Sequence, residues 1–414
     1  MIKPAISVVI PVYNAAPFLR EALDSLLAQT CGDFEAIAVN DGSTDNSLEI
    51  LQEYAARDSR IRILDGPNGG YGKAMNRGMD AATGKYMAIL EPDDYLPREA
   101  YAILLEMAEN HQLDVVKGAH CCFYEECGER VFRYMMPGCR TCVVLNSASD
   151  AAEMLGYGPH IWDAFYRLDF LREKDVRFHE SPGASYQDAG FFFLSTVYAQ
   201  RYMCIEEPTY IYRTDNPNSS INTPGNKKYL IVREYEYVQS CLNRSGVVKE
   251  NVLTRLCSNK LEGILWLATR LPLEDLPGLA NVLRQEFPEL EYEWMSDYQR
   301  ARVKCLLEGC HYSTPAEAGL NHRVYQRRFF GLFAKEMSAP RTSFSILGVP
   351  VCARNLKQRW RCFNSGISAI ADFYNEFSVL GIPLFRRHLP MPVFQWGGAA
   401  EVDAICVRWV EGCL

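Results

Sequence analysis

Glu91-Pro92-Asp93-Asp94 places three carboxylates within four residues, directly after the apolar run Ala88-Ile89-Leu90. Carboxylates this close repel one another unless a cation lies among them. Hard divalent ions take oxygen ligands and commonly share them with substrate phosphates. Pro-Asp-Asp is also ordinary turn chemistry, so by itself the cluster leaves metal binding and a solvated turn both open. Comparable polar groups follow other apolar runs: Asn14 comes after Ile6–Tyr13, and Asp41 comes after Phe34–Asn40. Farther along, Asp188 follows the Gly- and Ser-bearing stretch Ser181–Gln187 and precedes Ala189-Gly190-Phe191-Phe192-Phe193. A carboxylate at such a point either caps a helix or accepts a proton from a substrate hydroxyl.

These groups need elements to hold them in place. Ile6–Val12 is a β-branched run, the pattern of a strand buried on both faces of a parallel sheet. Phe18, Leu19, Ala22, Leu23, Leu26 and Leu27 give helical spacing over Ala16–Gln29, and Phe34–Val39 reads as a second strand. A helix follows over Ser47–Arg57, capped by Ser43 or Asp45, then a short strand over Ile61–Leu64. Pro67–Gly72 is a loop, Lys73–Thr83 a helix and Tyr86–Leu90 a strand. Strands alternating with helices predict right-handed βαβ units in an open sheet whose ligand lies beyond the carboxyl ends of the strands. Asn14, Asp41, Glu91, Asp93 and Asp94 all fall at that edge.

Three segments together, Ser7–Asn14, Val39-Asn40-Asp41-Gly42-Ser43-Thr44-Asp45 and Glu91-Pro92-Asp93-Asp94, resemble family 2 glycosyltransferases of the GT-A fold over roughly residues 5–220. The resemblance implies an α/β, Rossmann-like open mixed sheet binding a nucleoside-diphosphate sugar. It implies that Pro11, Tyr13 and Asn14 border the nucleotide pocket, that Asp41 accepts from the base N–H, and that Glu91 lies near the ribose. Asp93, with Asp94, would carry Mn²⁺ or Mg²⁺ at the diphosphate; the family's usual Asp-x-Asp begins here with Glu91. Asp188 matches the general base of an inverting transfer, and Gln187 stands where Glu is common. Trp162 falls where relatives place acceptor-facing residues, and Gln187 is grouped with it. Arg213, in Tyr210-Ile211-Tyr212-Arg213, is a candidate for gripping the diphosphate, as bidentate guanidinium suits phosphate oxygens. Lys73 reads as part of a turn.

A chain of 414 residues, 48% hydrophobic, exceeds one typical core. The divisions expected are 1–223 for the catalytic domain, ending near Asn222–Asn226, 224–340 for a helical domain, and 341–414 for a small C-terminal region. Helices are predicted over Tyr229–Asn243, Asn251–Thr269, Leu276–Glu286 and Tyr298–Gly309. In the last region Phe344–Pro350 recurs as Phe377–Pro383, both reading F-S-[IV]-L-G-[IV]-P, and a pair of β-hairpin units is expected. Met1 leads almost at once into a strand, and no uncharged apolar run approaches a membrane span, so a cytoplasmic protein is expected. Fifteen cysteines, an odd number, read as reduced thiols. Cys121, Cys122, Cys127, Cys139 and Cys142 include one CxxC, and strand packing is the expectation over a zinc knuckle. Residues 321–362 carry nine basic side chains against Glu336 alone, within a chain of net charge −8. That segment is a candidate for peripheral contact with the anionic inner face of a membrane, with a solvated basic face as the alternative. Negative total charge and the absence of a nucleic-acid motif argue against nucleic-acid binding. The acceptor is expected to be a glycan or lipid-linked hydroxyl, as in polysaccharide assembly. The alternatives are a non-catalytic carbohydrate-binding scaffold and a sugar nucleotidyltransferase. The latter wants a basic Gly-rich loop where Pro11-Val12-Tyr13-Asn14 stands, and an NAD-type Rossmann enzyme is disfavoured because no G-x-G-x-x-G follows the first strand.

Overall fold

The computed structural model describes residues 3–309, with short interruptions that include 220–228, and the strand backbone between 325 and 388. Cys127, Cys139, the expected boundary at 222–226 and the side chains of 321–362 lie outside the described residues. The chain divides into two compact units, 1–124 with 132–311, and 125–131 with 312–414.

The first unit is built on an eight-stranded mixed sheet. Strands β1 (Ile6–Val12), β2 (Phe34–Asp41), β3 (Ile61–Gly66) and β4 (Tyr86–Ile89) are parallel, in the order β3-β2-β1-β4. β7 (Ala164–Arg167) then runs antiparallel between β4 and β5 (Val115–Glu126); β6 (Glu129–Met135) and the parallel β8 (Tyr202–Arg213) complete the sheet beside β5. The register pairs Val9 with both Ile37 and Ile89; β1 and β2 run on together to Val12 and Asn40, whereas β4 stops opposite Val9, and all three point their carboxyl ends the same way. Asn14, Asp41 and Glu91 consequently leave the sheet along one edge.

Alternation explains why β1 is apolar throughout. Ile6, Val8, Ile10 and Val12 face a core with α1 (Leu19–Leu27), α2 (Ser47–Arg57) and α4 (Ala100–His111). Val9, Ile37, Val39 and Ile89 face the opposite core with α3 (Tyr71–Ala81), α5 (Leu168–Glu173) and α6 (Gln187–Tyr198). Both faces are dry, so a continuous hydrophobic strand is required. The second core continues without a break into α7 (Leu230–Ser245), α8 (Glu250–Ala268), α9 (Leu276–Glu286) and α10 (Asp297–Leu307). The four predicted helices are thus present, and they share one apolar cluster with the sheet. No helix among the described residues is long and apolar enough to cross a membrane.

The second unit contains a six-stranded antiparallel meander, β9 (Tyr325–Phe329), β10 (Phe333–Ser338), β11 (Arg341–Ile346), β12 (Val349–Cys362), β13 (Ala369–Val379) and β14 (Ile382–His388). The duplicated motif marks two of its hairpins. Ile346 pairs with Val349 and Val379 with Ile382, and the register shifts at Phe344/Ser345 in one and Phe377/Ser378 in the other.

Helix α3 approaches β1 closely because Gly78 has no side chain; a Cβ there would overlap the Val9 isopropyl group. Gly78→Ala is expected to destabilise the protein by about 1–3 kcal/mol through overpacking, measured by urea unfolding. An unchanged midpoint would mean that α3 can slide off the sheet.

Candidate functional site

Asp41 ends β2, and its carboxylate is already an organiser: Oδ1 accepts from Gly69 N–H at 2.8 Å and Oδ2 from Gly70 N–H at 2.9 Å. The loop before α3 is thereby fastened to the sheet edge. Gly70 has φ +89, a conformation that glycine adopts without strain, and its Cα faces the backbone of Gly183, whose carbonyl accepts from Tyr71 N–H at 3.0 Å. Asn14 lies beyond β1 with φ 49 and takes Thr44 N–H on Oδ1 at 2.7 Å. Pro11 is buried and Tyr13 is 52% exposed at the same edge.

The segment after β4 is held from two sides. Tyr71 Oη donates to Glu91 Oε1 at 2.6 Å, and Tyr210 Oη accepts from Glu91 N–H at 3.0 Å. Asn216 donates to Asp93 Oδ2 at 2.8 Å, and Arg213 N–H to Asp94 Oδ1 at 2.7 Å. Burial pushes Glu91 up to about 8, the Tyr71 hydroxyl opposes that, and the charges of Asp93 and Asp188 add to it. Burial, then Asp93, raises Asp94 well above the usual carboxylate range. Arg213 lies between the Phe18 and Phe123 rings, 4.9 and 4.7 Å from their centres. Its guanidinium donates to the Asp93 carbonyl at 3.0 Å and pairs with Glu21 and Asp215. The Arg213 guanidinium, expected from the sequence to face a diphosphate, is engaged with the protein's own carboxylates and shapes the turn that carries Asp93.

Asp188 stands in the first turn of α6, partly exposed, with Oδ1 accepting from Ala189 N–H at 2.8 Å. The preceding Tyr186 is held at φ 59, an unusual conformation for a bulky residue and one that marks functional segments. Burial raises Asp188 to about 6. Tyr71 reaches Glu91 through its hydroxyl and the Gly183 carbonyl through its amide, and Gln187 of α6 holds that same carbonyl, so the acidic turn after β4 and the start of α6 are tied to one residue. Gln187, expected on the acceptor side, is 1% exposed and donates to Ser181 Oγ at 2.8 Å and the Gly183 carbonyl at 3.1 Å. It holds the 181–183 loop against Tyr71. Trp162 is half-buried and stacks on Tyr210 at 4.3 Å and Tyr212 at 5.3 Å, on the wall that carries Glu91.

Among the described residues the acidic segment after β4 offers carboxylate oxygens of the kind a hard cation takes, and one group of three side chains, His120, His160 and Asp163, converges as metal ligands would. Asp94 Oδ2 is a buried carboxylate oxygen with no hydrogen-bond partner among the described residues, next to Asp93 and Glu91. An all-oxygen set of mutually repelling carboxylates fits Mg²⁺ or Mn²⁺. His120, His160 and Asp163 also bring ligand atoms within 4.8 Å of one another. There, however, the Lys117 ammonium is already in contact with Asp163 and lies 2.5 Å from the His160 carbonyl. Burial would raise Asp163, yet Lys117 and His120 outweigh it and hold the group at about 2. The negative charge of this second cluster is thus already balanced, which leaves the first as the better fit for a divalent ion.

Sequence reading did not single out Tyr71, Tyr210 or Asn216, which grip the acidic segment through single hydroxyl or amide contacts. The one signal was the Gly69-Gly70-Tyr71-Gly72 loop, whose glycines permit the close backbone approaches seen here.

The sequence profile of glycosyl transferase family 2 matches residues 7–193. The uncharacterized glycosyltransferase EpsJ of Bacillus subtilis is 33% identical over 279 residues, covering 63% of this chain and 77% of EpsJ. The uncharacterized glycosyltransferase YibD of Escherichia coli is 33% identical over 244 residues, covering 58% and 70%. Among solved structures, S. aureus TarS superposes with a TM-score of 0.57 at 16% identity, covering 94% of this chain and 77% of TarS, a likeness of fold. The parallel β3-β2-β1-β4 edge with its acidic turn, and the length over which EpsJ aligns, lead to one conclusion: the chain belongs to glycosyl transferase family 2 and has the GT-A fold.

Proposed function

We propose that this glycosyltransferase moves a hexosyl group from a UDP-sugar to a hydroxyl of a glycan or lipid-linked acceptor, with inversion and with a divalent metal. The observation that supports this reading is the chain of contacts between two acidic elements: Tyr71 holds Glu91 after β4 and the Gly183 carbonyl, and Gln187, beside Asp188 on α6, holds that same carbonyl. In an inverting transfer a base on one face of the sugar removes the acceptor proton while the nucleoside diphosphate leaves from the other. Asp188 takes that proton as the acceptor oxygen bonds to the anomeric carbon and the bond from that carbon to the diphosphate breaks. Asp41, with Pro11, Tyr13 and Asn14, borders the base; Glu91 faces the ribose. Asp93, with Asp94 behind it, would hold Mn²⁺ or Mg²⁺, which when bound neutralises charge developing on the diphosphate. Trp162, stacked on His160, Tyr210 and Tyr212, would shape the wall on the acceptor side, and Gln187 fixes the 181–183 loop. Arg213 acts through the Asp93 turn.

The setting we propose is polysaccharide assembly for the cell envelope at the cytoplasmic face of a membrane, with the basic segment 321–362 touching anionic lipid. Residues 1–223 would supply the donor site and 341–414 the duplicated hairpins, with 224–340 between them.

Asp188→Asn is expected to lower kcat by about 10²–10⁴-fold, while UDP affinity stays within about threefold; steady-state kinetics and calorimetry read the two. Turnover close to wild type would remove Asp188 from the base role. The base must be deprotonated, so kcat/KM of the wild type should fall as pH drops through about 6. A profile flat down to pH 5 would mean that no buried carboxylate governs the step.

A further inference from the structure

Helix α7 carries a carboxylate that the site described above does not use. Glu234 is 1% exposed; its Oε2 lies 3.0 Å from His179 Nδ1, and its Oε1 is buried without a hydrogen-bond partner among the described residues. A buried carboxylate oxygen with no donor is costly to leave charged. Oε1 faces the first turn of α6, where a Cβ at Gly190 would overlap it, so only glycine leaves room. Gly190 is two residues after Asp188. The His179 ring stacks on Tyr237 of α7 at 4.6 Å, and its carbonyl packs against Gly72 of α3, where a side chain would collide. His179 and Glu234 therefore join α3, α6 and α7 directly behind the base.

We propose that Glu234 is a positioning residue for Asp188: from α7 it fixes the first turn of α6 and, with His179, keeps the proton of the carboxylate pair, so that Asp188 is the member that ionises. This inference rests on the reading of Asp188 as general base. Asp188 is partly exposed whereas Glu234 is 1% exposed with one carboxylate oxygen lacking a donor, and these differing surroundings make Glu234 the costlier of the two to ionise. Burial raises Glu234 to about 7, His179 opposes that, and the Asp188 charge adds to it, whereas Asp188 stands at about 6. The charged groups acting on Glu234 are His179, from the segment before α6, and Asp188, from α6. Around Asp188 stand Glu91 after β4, Tyr71 of α3, Tyr186 before α6, and Tyr235 with Glu234 of α7. The helices after residue 229 thus contribute a group to the site.

The test uses the full chain with ¹³C-labelled Glu carboxyls, Glu234 being assigned by its loss in Glu234→Gln. The expected result is an inflection near pH 7 that moves down in Asp188→Asn, because the Asp188 charge raises it. Titration at an ordinary carboxylate pH, or no displacement in Asp188→Asn, overturns the proposal. In parallel, the pH profile of kcat/KM should show two inflections in wild type and one in Glu234→Gln. A Glu234→Gln profile of unchanged shape with lowered kcat would reduce the residue to packing. A protein that shows the carboxyl coupling but transfers no sugar would count against the transferase reading and leave the pairing intact.

Discussion

The constraint on which the site depends is electrostatic: Glu91, Asp93, Asp94 and Asp188 must be held around one partly dry pocket although they repel one another. The protein meets it with fixed donors. Tyr71 and Asn216 donate to Glu91 and Asp93, the Arg213 amide donates to Asp94, and the Arg213 side chain ties the Asp93 carbonyl to Glu21. What these contacts do not do is neutralise the cluster, because Glu91 and Asp94 remain raised well above ordinary carboxylates. Carboxylates held in this state keep an affinity for positive charge that the protein's own donors leave unmet.

The scaffold turns that local requirement into geometry. β1, β2 and β4 run parallel with their carboxyl ends on one side of the sheet, so the groups that follow them leave along one edge. Asp41 spends both carboxylate oxygens on the amides of Gly69 and Gly70, which fixes the start of α3 and hence Tyr71. Tyr71 in turn touches Glu91 through its hydroxyl and the 181–183 loop through its amide. Gln187 holds that loop from the α6 side. One chain of contacts therefore runs from the end of β2 to the first turn of α6, and displacing Asp41 or Gln187 disturbs both ends.

The parts legible from sequence were those governed by local periodicity or compact motifs. The run Ile6–Val12 reads as a two-sided strand because alternate residues face two cores, and the helix over Ser47–Arg57 has the predicted bounds. The repeated F-S-[IV]-L-G-[IV]-P segments read as hairpins, and the backbone pairs them so. Long-range partnerships were not legible. Arg213 beside aromatics and acids looks like a phosphate ligand until Glu21, 192 residues away, appears beside it. Gln187 reads as an acceptor contact until Ser181 and Gly183 take its amide. Glu234 is one charged residue on an amphipathic helix, and its meaning arises only when Gly190 and His179 fold against it.

The most direct measurement is a calorimetric titration of the full chain with UDP, GDP, dTDP and CDP, each in Mn²⁺ and in EDTA. The account predicts that UDP binds, that the chelator weakens it by at least about tenfold, and that Asp93→Ala abolishes the difference. Equal UDP affinity with and without metal, or no nucleotide binding by folded protein, would contradict it.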